Sequence, residues 1–141
     1  MFFGSTIEET RAMFFSSWNN YQHKKPLSPL EKEIAQVILD HPEYHKMMGQ
    51  QNRIQELNYY PQMGENNPFL HMGLHLAVRE QVATNRPQGI SAVYEKMKKK
   101  FKSTLIVEHL MMDQLAECLW LSQKNNCPPD EQSYLKALLS L

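Results

Sequence analysis

Two histidines spaced four positions apart are the residues of this sequence whose type and spacing best suit a chemical role. They are His71 and His75, in the run His-Met-Gly-Leu-His. On a helix that turns about 100° per residue, they share the apolar face of residues 70–82, whereas Arg79 and Glu80 lie to the side and rear. Imidazoles at this spacing can chelate one divalent metal ion. The pattern predicts a histidine site on the inner face of a central helix.

A carboxylate and a third imidazole fall on the apolar side of a second predicted helix, as Glu108 and His109. A buried carboxylate must be paired, hydrogen-bonded, protonated or bound to a metal. His45, on a short helix, supplies a further imidazole. We therefore predict a helix-bundle metal site that draws its ligands from His71, His75, Glu108, His109 and His45. Such nitrogen and oxygen ligands suit zinc, iron, manganese or nickel, and residue types alone do not choose among these metals.

The same residues also fit a structural role. The histidine pair lacks the glutamate that follows the first histidine of a zinc-peptidase helix, and the sequence has no Glu-x-x-His pair of the di-iron type. In this alternative, His71 and His75 are neutral core side chains bonded to Glu108, tyrosines or the backbone. The protein would then be a non-catalytic module that binds a protein partner. At this point the sequence leaves open whether the chain is an enzyme.

Helices must position all of these residues, since no stretch alternates polar and apolar residues as a half-buried strand does. Capping patterns begin helices at Ser5 with Glu8, at Ser28 with Pro29, and at Asp130. The remaining predicted elements are a short helix over 42–48 capped by His41, a turn over 52–57, an irregular segment over 58–67, and helices over 68–83, 90–101 and 104–124. The inward face predicted for the longest helix comprises Leu105, Met112, Leu115, Ala116 and Leu119. We expect one all-α domain over residues 1–141, a bundle of about four long helices plus short ones with up-down packing.

Composition narrows the choice of partners. Fifteen basic and fifteen acidic residues cancel to a formal net charge of zero, so no overall field attracts nucleic acid or a membrane. The one basic cluster, residues 96–102, is expected to be a solvated helix end. The first residues lack the basic and apolar regions typical of a secretory signal, so we expect none. The sequence has no long apolar run, and its two cysteines lack a disulfide or zinc-ribbon spacing. We expect a cytoplasmic protein, for which a protein partner or a second copy stays open.

The sequence also resembles a bacterial family known as domain of unknown function 1841. The resemblance rests on His41-Pro42-Glu43-Tyr44-His45, on Asn67-Pro68-Phe69-Leu70-His71 with Leu74-His75, on Glu108-His109 with Glu117 and Trp120, and on Pro128-Pro129-Asp130. It covers essentially the whole chain and implies a cytoplasmic bacterial protein without an established activity. In architecture alone, the chain is similar to the DinB-like metal-binding bundles, which implies histidines that point inward from several helices.

Overall fold

The computed structural model describes residues 7–49 and 68–141, and of Ile7 and Glu8 only the backbone. Every regular element in these residues is a helix, which confirms the predicted all-α class. The elements are α1 (Ile7–Gln22), α2 (Pro29–Leu39), a 3-10 turn (Pro42–Tyr44), α3 (His45–Met48), α4 (Pro68–Thr84), α5 (Ile90–Phe101), α6 (Thr104–Lys124) and α7 (Glu131–Leu139). None of these described helices is both long and apolar enough to cross a membrane.

Three helices, α2, α6 and α7, begin where the sequence places their capping residues. At the start of α2, Ser28 Oγ accepts the Glu31 N–H at 3.2 Å, and Glu31 Oε1 accepts the Ser28 N–H at 2.9 Å. Ser103 caps α6 and Asp130 caps α7 with their side-chain oxygens. Each such bond satisfies a backbone N–H that has no partner within its helix. The predicted Ser5 capping residue, the turn over 52–57 and the segment over 58–67 lie outside the described residues.

The chain divides into two compact units, Met1–Gly73 and Leu74–Leu141, and α4 contains the boundary between them. In the first unit α1 packs on α2, and Asn20 Nδ2 donates to Glu31 Oε2 at 3.0 Å. The ring of Phe69 lies 6.2 Å from Phe14 and 5.7 Å from Phe15, centroid to centroid. Apolar packing therefore ties the first turn of α4 to α1.

In the second unit α6 packs against both α5 and α7. The core of this unit comprises Val78, Ile90, Val93, Met97, Val107, Met111, Met112, Leu115, Tyr134 and Leu138. The buried stripe of α6 runs through Val107, Glu108, Met111, Met112 and Leu115. The prediction that Leu105 faces inward is wrong, because its side chain is 57% exposed. On a helical wheel Leu105 lies only about 20° from Met112, but it belongs to the first turn of α6, where its side chain is exposed.

Candidate functional site

A buried imidazole on α4 meets a buried carboxylate on α6 within the second unit. His75 is 0% exposed and Glu108 is 6% exposed. His75 Nε2 lies 2.9 Å from Glu108 Oε1, at hydrogen-bond distance. The helical wheel had placed each residue on the apolar face of its own helix, and the fold brings the two side chains together.

Arg79 is the second partner of this carboxylate. It follows His75 by one helical turn, and its Nε donates to Glu108 Oε2 at 2.9 Å. Its Nη2 lies 3.3 Å from His75 Nε2. The wheel places Arg79 to the side of the histidine face, but a helical side chain leans towards the preceding turn, and arginine is long enough to reach across it. The i, i+4 spacing from His75 is the sequence feature that could have indicated this contact.

The partners of Glu108 decide its charge state. Burial by itself raises the pKa of this carboxyl, but hydrogen bonds from His75 and Arg79, together with their charges, outweigh burial and lower the pKa from 4.5 to about 2. Glu108 is therefore a carboxylate at neutral pH. Since a carboxylate oxygen can only accept, an oxygen at 2.9 Å requires a proton on Nε2 of His75.

His41 and His71 meet in the first unit. His41 is buried directly after α2, and Pro42 prevents the helix from continuing through it. Its side chain does not cap the following 3-10 turn; instead Nδ1 donates to the carbonyl of Val37 at 2.7 Å. The His41 and His71 rings stand edge to face with centroids 5.0 Å apart, and they offer nitrogens within 4.8 Å of each other.

His71 and His75 occupy successive turns of α4, and they too offer nitrogens within 4.8 Å of each other. Two nitrogens bound to one tetrahedral zinc at about 2.0–2.1 Å would be roughly 3.3 Å apart. The ring of Tyr44 stacks on His41, with centroids 5.6 Å apart, and lies 6.3 Å from His71. The Tyr44 ring therefore lies beside both members of the His41–His71 pair.

The other two histidines of the predicted set have different surroundings. His45 Nε2 lies 2.8 Å from the carbonyl of Ile38, and its ring centroid lies 4.9 Å from that of Trp18. The ring of His109 stands 5.5 Å from that of His75, edge to face. Among the described residues, a shared ion is within reach for His71 with His41 and for His71 with His75, whereas no such grouping includes His45 or His109. Sequence reasoning had given His41 only a capping role.

Comparison with known proteins defines the class of this chain. The model of the family described as "Domain of unknown function (DUF1841)" matches residues 6–140. The chain is a member of that family, as its sequence blocks led us to expect. No curated protein and no solved structure matches the chain.

Proposed function

We propose that this protein binds a divalent metal ion through the imidazoles of His71 and His75 on α4, joined by His41. The observation that carries the proposal is the spacing of nitrogens, since His71 lies within 4.8 Å of His41 and of His75. Imidazole ligands suit zinc, nickel and iron, which are among the metals predicted from the sequence. A coordination position left open to water would allow metal-activated water to react with a small molecule.

The hydrogen bonds around the ligands support this role. A metal-bound histidine usually donates its other ring N–H to a carboxylate or a backbone carbonyl, which fixes its orientation. His41 has such a carbonyl at Nδ1, from Val37, and His75 has such a carboxylate at Nε2, from Glu108. If these bonds are kept, the nitrogen that remains for a metal is Nε2 on His41 and Nδ1 on His75.

The proposal changes the roles within the ligand set predicted from the sequence. Glu108 becomes the hydrogen-bond partner of a ligand, because its two oxygens already accept from His75 and Arg79. His45 becomes a structural side chain that is bonded to the end of α2. His109 stays a predicted ligand, because its ring lies beside that of His75.

A second reading is a non-catalytic module whose histidines are structural and whose partner is a protein. It is favoured by large apolar side chains that α6 and α7 expose. They are Leu105, Ile106, Trp120, Leu121 and Leu139. The single-domain organisation, the up-down packing, the cytoplasmic location and the bacterial origin stay predictions.

Metal analysis of the untagged protein tests the proposal. We would strip the protein with a chelator, dialyse it against zinc, iron, manganese or nickel, and measure bound metal by mass spectrometry and affinity by calorimetry. We expect about one ion per chain, and at least a tenfold weaker affinity in His71→Ala, His75→Ala and His41→Ala. His23→Ala is the matched control, because His23 is exposed and outside the group. Wild-type protein that takes up none of the four metals would refute the proposal.

A second measurement links binding to folding. An ion that binds only the folded chain should stabilise it by about 2.7 kcal/mol at a hundredfold excess over the dissociation constant. We expect this gain in urea unfolding of the wild type and of the His23→Ala control. At the same metal concentration it should fall to about 1.4 kcal/mol or less in His71→Ala, because a tenfold weaker affinity leaves at most a tenfold excess.

A further inference from the structure

We propose that Glu108 and Arg79 form a positioning pair that fixes the tautomer of His75, with its proton on Nε2. The tautomer is a property of the metal-free protein. Its consequence for metal affinity rests on the function proposed above, because Nδ1 of His75 then carries the lone pair that a metal needs.

The geometry around Nε2 selects between the two neutral forms of the ring. Glu108 Oε1 lies 2.9 Å from Nε2, and Arg79 Nη2 lies 3.3 Å from the same atom. If Nε2 lacked a proton, its lone pair would face a carboxylate oxygen at the shorter of these distances, which is repulsive. With the proton on Nε2, the ring donates a charge-assisted hydrogen bond along that contact.

Arg79 holds the carboxylate in the orientation that this bond requires. Its Nε donates to Oε2 at 2.9 Å while His75 donates to Oε1, where Arg79 Nη2 adds a longer contact at 3.5 Å. The Arg79 side chain is 28% exposed and the Glu108 side chain is 8% exposed. Arg79 therefore balances the charge of the buried Glu108 carboxylate from a partly exposed position.

Glu108→Gln would create a mismatch of hydrogen-bond donors and acceptors, and this mismatch tests whether Glu108 and Arg79 act as a pair. The glutamine amide has one accepting oxygen and one donating nitrogen, whereas Arg79 and His75 both present donors. Since a guanidinium can only donate, the oxygen must turn to Arg79, and the NH₂ group then faces Nε2 of His75. Nε2 becomes an acceptor and the proton moves to Nδ1. Removing Arg79 as well frees the oxygen to turn back to His75.

Nitrogen NMR of the imidazoles in metal-free protein tests the tautomer. We expect the proton of His75 on Nε2 in the wild type, on Nδ1 in Glu108→Gln, and on Nε2 again in the double variant Glu108→Gln with Arg79→Met. Glu117→Gln, an exposed change on the same helix, should leave His75 as in the wild type. A wild-type His75 with its proton on Nδ1 alone overturns the proposal. This measurement is made on the wild-type protein, so it does not depend on whether a variant folds.

Zinc titration of the same proteins gives the second readout. We expect zinc affinity to fall about 10- to 100-fold in Glu108→Gln, to recover partly in the double variant, and to stay within about twofold in Glu117→Gln. A role that is only structural would make the double variant at least as weak as the single one, and that result overturns the positioning role. A tautomer switch in a protein that takes up none of the four metals refutes the proposed metal function and supports the positioning pair.

Discussion

Replacing Glu108 with glutamine should destabilise the metal-free protein strongly at neutral pH and less in acid. The folded chain lowers the pKa of Glu108 from 4.5 to about 2. At about 1.4 kcal/mol per pH unit, this shift corresponds to roughly 3 kcal/mol of stability at neutral pH. Because the folded pKa is the lower one, the contribution is complete above about pH 5 and is lost as the pH falls towards 2.

Urea unfolding followed by circular dichroism, repeated from about pH 7 down to about pH 3, measures this contribution. The difference in unfolding free energy between wild type and Glu108→Gln should shrink by roughly 2 kcal/mol over that range. Glu117→Gln should differ from wild type by less than about 0.5 kcal/mol at every pH, because Glu117 is exposed. A difference for Glu108→Gln that is as large at the lowest pH as at neutral pH would refute the reasoning.

Three further substitutions test the framework around the site by urea unfolding. Ser28→Ala should cost about 1 kcal/mol, because it removes the side-chain cap of α2. Tyr134→Phe should cost about 1 kcal/mol, since the hydroxyl of this buried tyrosine donates to Gln81 Oε1 at 2.8 Å. Leu138→Ala should cost about 2–5 kcal/mol, because it opens a cavity in the core of the second unit.

Each of these has a control within the chain. Leu105→Ala, at an exposed leucine, should change stability by less than about 0.5 kcal/mol. If Leu138→Ala lost as little stability as Leu105→Ala, that result would contradict the assigned core. Gln81→Met combined with Tyr134→Phe should cost less than the two single changes added together. Ser28→Thr should keep most of the capping hydrogen bond and of the stability. If it lost as much stability as Ser28→Ala, the hydrogen bond would not be the cause of the loss.

The helices were predictable because their determinants are local. Ser28, Pro29 and Glu31 define the start of α2 through contacts within one turn, and Ser103 and Asp130 do the same for α6 and α7. A wheel likewise shows that Glu108 lies on an apolar face. These inferences need only the helical period and the chemistry of neighbouring residues.

The parts of the site that the sequence analysis did not predict depend on tertiary structure. Arg79 joins Glu108 across two helices, and a wheel that records only direction does not describe how far a long side chain reaches. His41 lies after the end of α2, where no periodic pattern applies, and its contact with His71 spans 30 positions in the sequence. Such contacts follow from packing, which the sequence specifies only through the complete fold.

His41, two residues after the end of α2, has a thermodynamic consequence for the metal binding proposed above. Its ring is already bonded to the carbonyl of Val37, so folding of α2, and not capture of an ion, fixes its rotamer. Ordering a mobile side chain costs about 0.5–1.5 kcal/mol on association, and at His41 that cost falls on folding. The conformational entropy lost on binding should therefore be smaller than for a ligand on a mobile loop. Any change that moves Val37 away from His41 should weaken the helix end and the preorganisation of the ligand together.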